Sequence, residues 1–160
     1  MKKTFALLLL LGILTSCSLK NDITINVLKD ESIVYVEDNK DIEFYTVSLN
    51  DETLQNKINN DDSFILLLYG KDCHACNSIK PYIINYICSN QYIFYSFEYI
   101  PGVTSSTADA IIKSLYEFES IAYPRVYFIK DGQCFFVKNG FTTLEHSNRN
   151  IEKLFDYYIK

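Results

Sequence analysis

Phe64-Ile65-Leu66-Leu67-Leu68-Tyr69-Gly70-Lys71-Asp72-Cys73-His74-Ala75-Cys76, with Pro81 five residues on, is the stretch around which the chain is organised. An apolar run of six residues ends at Gly70, and a Cys-x-x-Cys follows. A short unbroken apolar run is the pattern of a strand buried on both faces. Beyond Cys76, the residues Ile79, Tyr82, Ile83, Tyr86 and Ile87 recur at helical spacing. The cysteines therefore sit where a central strand passes into a helix N-terminus. Unpaired N–H groups and the helix macrodipole favour a thiolate over a thiol there.

The 160 residues suit a single domain with a real core. Tyr and Phe, with no Trp, make that interior unusually aromatic. The net charge of −5 and the lack of a basic block exclude nucleic acid as an expected partner.

Lys2 and Lys3 precede an apolar segment over residues 5–14, too short to read as a membrane span. The segment closes with Leu14-Thr15-Ser16-Cys17, which resembles the lipobox of bacterial lipoproteins. The resemblance implies a signal peptide over residues 1–16 and Cys17 as the first mature residue. That cysteine would carry a thioether-linked diacylglycerol and an acyl group on its amine, enough chains for stable anchoring. The alternative is an ordinary secretory signal with an incidental cysteine. The expected location is extracytoplasmic, lipid-anchored to a bacterial membrane. Removal of Lys2 and Lys3 leaves the mature chain two charges more negative.

Setting Cys17 aside, Cys73, Cys76, Cys88 and Cys134 remain. In an exported protein a Cys-x-x-Cys is redox-active, structural or metal-binding. Zinc needs two further ligands, and only His74, His146, Cys88 and Cys134 are on offer, with no second paired motif. No metal and no cofactor beyond the cysteine pair is expected.

Residues 18–22 read as a polar tether. Residues 23–28 and 32–36 are strand-like around Lys29-Asp30-Glu31, fitting an added hairpin or a flexible arm. A strand is expected over 42–49, then a helix capped by Asn50 and running to about Asn59. A strand over 92–97, a turn at Pro101-Gly102 and a helix opening at Ser106 with Asp109 in a capping-box-like arrangement come next. Strands over 126–129 and 134–137 flank Asp131-Gly132, a strong hairpin signal. Ile151, Leu154, Phe155, Tyr158 and Ile159 mark a closing amphipathic helix, with His146 in its first turn. Cys88 falls opposite the Ile79/Ile83/Tyr86 stripe, and free thiols are expected at Cys88 and Cys134.

This β-α-β-α-β-α-β-β-α order, with Cys73-His74-Ala75-Cys76 after the second strand, resembles the thioredoxin superfamily over about residues 42–160. Pro81 and Tyr123-Pro124, the latter just before the penultimate strand, carry the same likeness. The resemblance implies an α/β, thioredoxin-like fold, a central mixed β-sheet flanked by helices, with residues 17–41 as tether and N-terminal extension. It implies that Cys73 is the nucleophile that forms a mixed disulfide, and that Cys76 is the partly buried resolving thiol. It also implies a kink at Pro81 and a cis peptide before Pro124, which lies against the disulfide. Tyr123, Pro124 and Arg125 would shape the substrate groove.

Several residues depart from the family pattern. Asp72 stands where a Trp is usual; a carboxylate beside Cys73 opposes thiolate formation, although as an N-cap it supports the helix, and Lys71 offsets it. Leu67 stands where many thioredoxins carry a buried acid, so proton transfer at Cys76 must use water or another group. His74-Ala75 replace Gly-Pro; the imidazole either stabilises the thiolate or faces solvent without electronic effect. Arg125 either adds positive potential or sits on the surface.

Three functions follow. The leading one is a membrane-anchored thiol–disulfide oxidoreductase exchanging disulfides with exported proteins. It would act as a monomeric reductase supplied by a membrane electron donor. The same scaffold run as an oxidase or isomerase, passing electrons to an acceptor, is second. A non-catalytic binding lipoprotein is third.

Overall fold

The structure, a computed structural model, describes residues 24–70, 72–116 and 123–160. The expected signal peptide, the lipidation site Cys17 and the offsetting Lys71 lie outside the described residues. Among the described residues a five-stranded sheet runs in the order β1-β3-β2-β4-β5. Its strands are β1 (Thr46–Ser48), β2 (Phe64–Tyr69), β3 (Phe94–Glu98), β4 (Arg125–Lys130) and β5 (Gln133–Asn139). β3 lies parallel to β1 and β2, whereas β4 is antiparallel to both β2 and β5. The sheet is therefore mixed, with β2 at its centre and every β2 residue buried. That is why the 64–69 run carries no polar residue.

Alternate β2 side chains enter two cores. Ile65, Leu67 and Tyr69 pack with α1 (Ile42–Tyr45), α3 (His74–Asn90) and α5 (Asn148–Tyr158). Phe64, Leu66 and Leu68 meet α2 (Asp51–Asn59) and α4 (Ser106–Leu115) on the other face. The first core is built largely from rings: Phe155 stacks on Tyr86 at 4.8 Å and meets Phe94 edge-on at 5.0 Å. Among the described residues no helix is long and apolar enough to cross a membrane.

Local signals held where the chemistry was local. Asn50 caps α2, accepting from the Thr53 N–H at 2.9 Å. Asp131 and Gly132 take φ of 51° and 69°, the left-handed pair a two-residue hairpin turn needs. A Cβ on Gly132 would also come within 2.6 Å of the Ile58 carbonyl oxygen, so this turn is seated on the end of α2.

Other expectations are corrected. Residues 42–49 are not one strand: Ile42–Tyr45 form a helical turn and only Thr46–Ser48 join the sheet. Ile42 and Tyr45 are buried while Phe44 is 61% exposed, a three-residue spacing that only a helix satisfies. The Tyr45 hydroxyl donates to a carbonyl oxygen, Val36 or Asn39, each 3.1 Å away. The next strand begins at Phe94 rather than at residue 92, because Tyr92 bridges to Lys29 and the Ile93 N–H donates to Leu28 O. Helix α4 opens at Ser106 as expected, but its cap is Ser105 and not a Ser106–Asp109 box; Asp109 instead accepts from Tyr99 and Lys113. His146 ends a 3-10 turn (Thr143–Glu145) before α5 and lies against the Tyr82 ring.

The N-terminal extension forms neither a hairpin nor, at 32–36, a strand. It runs extended across the chain end: Ile25 N–H donates to Tyr158 O, and Lys160 N–H donates to Ile25 O. Burial of Ile25 in the first core and isolated bridges, Ile25 to Ile159 and Lys29 to Tyr92, hold this segment without a named strand.

Candidate active site

β2 ends at Tyr69, and Gly70 turns the chain toward α3. Gly70 is required by close approach: a Cβ there would lie 2.6 Å from Cε2 of Tyr123. The Cys73 N–H donates back to Gly70 O at 3.2 Å, and Cys73 becomes the N-cap of α3. Asp72 is therefore not the cap, a correction. A sulfur has taken the role usually given to an oxygen, with Sγ of Cys73 accepting from the Cys76 N–H at 3.0 Å.

Cys73 and Cys76 form a disulfide with Cα atoms 5.2 Å apart. The two sulfurs differ in access: Cys73 is half-buried and Cys76 is 1% exposed. No carboxylate occupies the first turn of α3, so its N-terminal positive end faces Cys73 without an internal counter-charge. Asp72, His74 and Ala75 are all exposed around the pair. Pro81 lies inside α3 and removes one backbone donor from the ladder.

The Tyr123–Pro124 peptide is cis, and the Tyr123 carbonyl oxygen is 3.8 Å from Sγ of Cys73. Pro124 is buried. Arg125 is not on the surface: it is 3% exposed, and its Nε donates to Asn139 Oδ1 at 2.8 Å. Strand alternation groups it with Tyr127 toward α2 and α4, on the face of the sheet opposite α3.

A cavity of about 280 Å³ opens beside Cys73, lined by Gly70, Asp72, Glu98, Tyr99, Ile100, Pro101 and Tyr123. Glu98 is the residue sequence reading missed. Its signal was a single acid closing an otherwise apolar strand run, beside Tyr69 in the parallel register. Its Oε1 is buried with no hydrogen-bond partner. The neighbouring Tyr69 hydroxyl donates to Glu43, and burial pushes that phenol far above its usual range, helped by Glu43 and Glu98.

Cys88 and Cys134 are free. Cys88 is half-buried against the α3-side core rather than turned fully away from it, and Cys134 packs with the α2/α4-side core. Burial raises both thiols, Cys134 to about 12, which keeps them protonated near neutral pH. Among the described residues no group of three or more His, Cys, Asp or Glu is placed to hold a metal ion.

Taken together, these features define an α/β protein with a disulfide at a strand-to-helix junction. No protein-family model matches the chain, and no curated protein matches it. Solved structures do. A protein with a thioredoxin fold aligns at a TM-score of 0.52 and 9% identity, over 69% of this chain and 94% of that one. A chain from the complex of ferredoxin:thioredoxin reductase with thioredoxin f2 aligns at 0.50 and 13%, over 69% and 92%. Mitochondrial thioredoxin 3 from Saccharomyces cerevisiae in its oxidized form aligns at 0.49 and 19%, over 71% and 95%. The chain has the thioredoxin fold, with the cysteine pair at the tip of α3.

Proposed function

We propose that the chain is a thiol–disulfide oxidoreductase, tethered through Cys17 outside the cytoplasm and working as a reductase on exported proteins. The observation that carries this is the asymmetry of the pair: Cys73 half-buried at the helix cap, Cys76 buried one turn inside. In the reduced state the Cys73 thiolate attacks one sulfur of a substrate disulfide. That S–S bond breaks, a Cys73–substrate bond forms, and the leaving sulfur takes a proton. Cys76, as its thiolate, then attacks Sγ of Cys73. The second substrate thiol leaves, and the Cys73–Cys76 disulfide remains. Two electrons have passed to the substrate, and a dithiol donor at the membrane restores the pair.

Asp72 supports the reducing direction, because a carboxylate next to Cys73 disfavours the thiolate and so lowers the potential. The helix N-terminus and the Cys76 N–H act the other way, which keeps oxidase or isomerase work as the second reading. The reading of location rests on Lys2, Lys3, the apolar 5–14 segment and Leu14-Thr15-Ser16-Cys17.

The test is insulin reduction with dithiothreitol, joined to the equilibrium potential of Cys73/Cys76 against glutathione. Turnover with a potential near or below that of cytosolic glutathione supports the reductase. Turnover with a much more positive potential supports the oxidase. No turnover by the folded protein removes the oxidoreductase reading.

A further inference from the structure

We infer that the cavity beside Cys73 selects substrate disulfides flanked by a basic side chain, lysine or arginine, with Glu98 as the residue that recognises it. This rests on the oxidoreductase reading above and names its substrate class.

Glu98 lies at the C-terminal end of β3, the strand next to β2, and lines the same cavity as Cys73. Of the described residues lining that cavity, Asp72 and Glu98 carry charge, and both are acidic. The two differ in setting. Asp72 is exposed, so water screens it and its reach is short. Glu98 is mostly shielded, and its Oε1 has neither solvent nor a donor. An acceptor in that state is costly to leave unmade, and a turn of the side chain toward the cavity it lines would bring the carboxylate to a charged donor, which makes the strongest such bond. The neighbouring phenol does not do so, since the Tyr69 hydroxyl is spent on Glu43.

The rim suits the rest of such a side chain. Ile100 lines the cavity at 41% exposure, and Val103, 73% exposed, lines the adjoining groove that Glu98 also borders. A lysine or arginine stem lies over apolar surface of this kind while its head reaches a carboxylate. The substrate sulfur would meet Cys73 on one wall while the cation meets Glu98 on another. Attraction to the acidic pair also raises the encounter rate, an effect that salt weakens. Neither step alters the electron balance: a substrate disulfide is still reduced by two electrons as the Cys73–Cys76 disulfide forms.

The experiment uses the reduced protein and three synthetic peptide disulfides, identical except for Lys, Ala or Glu beside the cysteine. Hydroxyethyl disulfide serves as an uncharged reference. Reduction rates are measured in wild type, Glu98→Gln and Asp72→Asn at low and high salt. Wild type should prefer the Lys peptide over the Glu peptide by about tenfold, and salt should narrow the gap. Glu98→Gln should bring the three peptides within about twofold of one another, while Asp72→Asn should keep most of the preference. Should Glu98→Gln fail to fold, the salt-sensitive Lys preference of wild type together with its retention in Asp72→Asn carries the assignment. Equal wild-type rates on the three peptides, with hydroxyethyl disulfide still reduced, overturn the charge selection and leave the oxidoreductase standing. A Lys preference that survives in Glu98→Gln overturns the role of Glu98. No reduction of any disulfide removes both readings together.

Discussion

The backbone N–H of Cys76 donates to Sγ of Cys73 across 3.0 Å, so the buried half of the pair caps its helix through the accessible half. One contact satisfies an orphan helix donor and also places positive partial charge against the sulfur that would become a thiolate. Capping and nucleophilicity are here the same interaction. The disposition of the two sulfurs follows from the fold: β2 is central and buried, and the helix after it starts just past that strand's C-terminal end.

The first expected outcome concerns which sulfur attacks. A Cys76→Ser protein should accumulate mixed disulfides through Cys73, visible by mass spectrometry of trapped peptides. Cys73→Ser should reduce insulin no faster than the dithiothreitol background. Trapping through Cys88 or Cys134 would sink the assignment, and their raised thiol pKa values argue against it.

Gly70→Ala should disturb the site more than the fold. Its Cβ would enter the Tyr123 ring at 2.6 Å, so the ring must shift, and Tyr123 is the residue whose carbonyl oxygen lies 3.8 Å from Sγ of Cys73. The expected stability loss is about 1–3 kcal/mol by urea unfolding. Insulin reduction should fall further than that loss explains at temperatures where the variant is fully folded. Unchanged activity would mean that Tyr123 takes no part in placing the substrate.

Asp72 and His74 both flank Cys73 and are exposed, so each should act on it through solvent. Asp72→Asn should lower the Cys73 pKa and His74→Gly should raise it. Thiolate absorbance titrated in the three proteins reads both signs. A His74→Gly titration superimposable on wild type would assign the imidazole to solvent and leave substrate contact as its role.

Cys17→Ala should abolish lipid labelling and release the protein from membranes of the cells that make it. Retention of that variant in the membrane fraction would point instead to an uncleaved anchor at residues 1–16.

Stability should decline with rising pH from about 9. The Cys134 thiol is raised by burial from an ordinary 9.0 to about 12. Between those values the unfolded chain has lost the proton and the folded chain has kept it. The unfolded state then binds fewer protons, and each pH unit costs up to about 1.4 kcal/mol of stability. Cys134→Ala should flatten that part of the urea-midpoint profile. The raised phenols of Tyr69 and Tyr86 should keep a decline of the same sign above pH 10. A wild-type profile flat from pH 8 to 11 would contradict the burial of these groups.

Local chemistry settled much of this protein before any tertiary contact was known. The 64–69 run, the α3 stripe, the Asn50 cap and the Asp131-Gly132 turn are each written in a few consecutive residues, because periodicity, capping and positive φ act over one or two turns of chain. The reactive pair was legible for the same reason, since a strand, a glycine and Cys-x-x-Cys are contiguous. What the sequence could not carry depended on distant partners. Ile42–Tyr45 coils because Tyr45 finds carbonyls at Val36 and Asn39 and a place in the core. Cys73 rather than Asp72 caps α3 because the turn closed by the Cys73 N–H on Gly70 O sets where the helix begins. Arg125 is buried because strand alternation turns it toward Asn139 and away from α3. Glu98 lines the cavity beside Cys73 because β3 lies next to β2 in parallel register, joining residues far apart in sequence. Side-chain character is a property of one residue, but its role is set by what the folded chain brings against it.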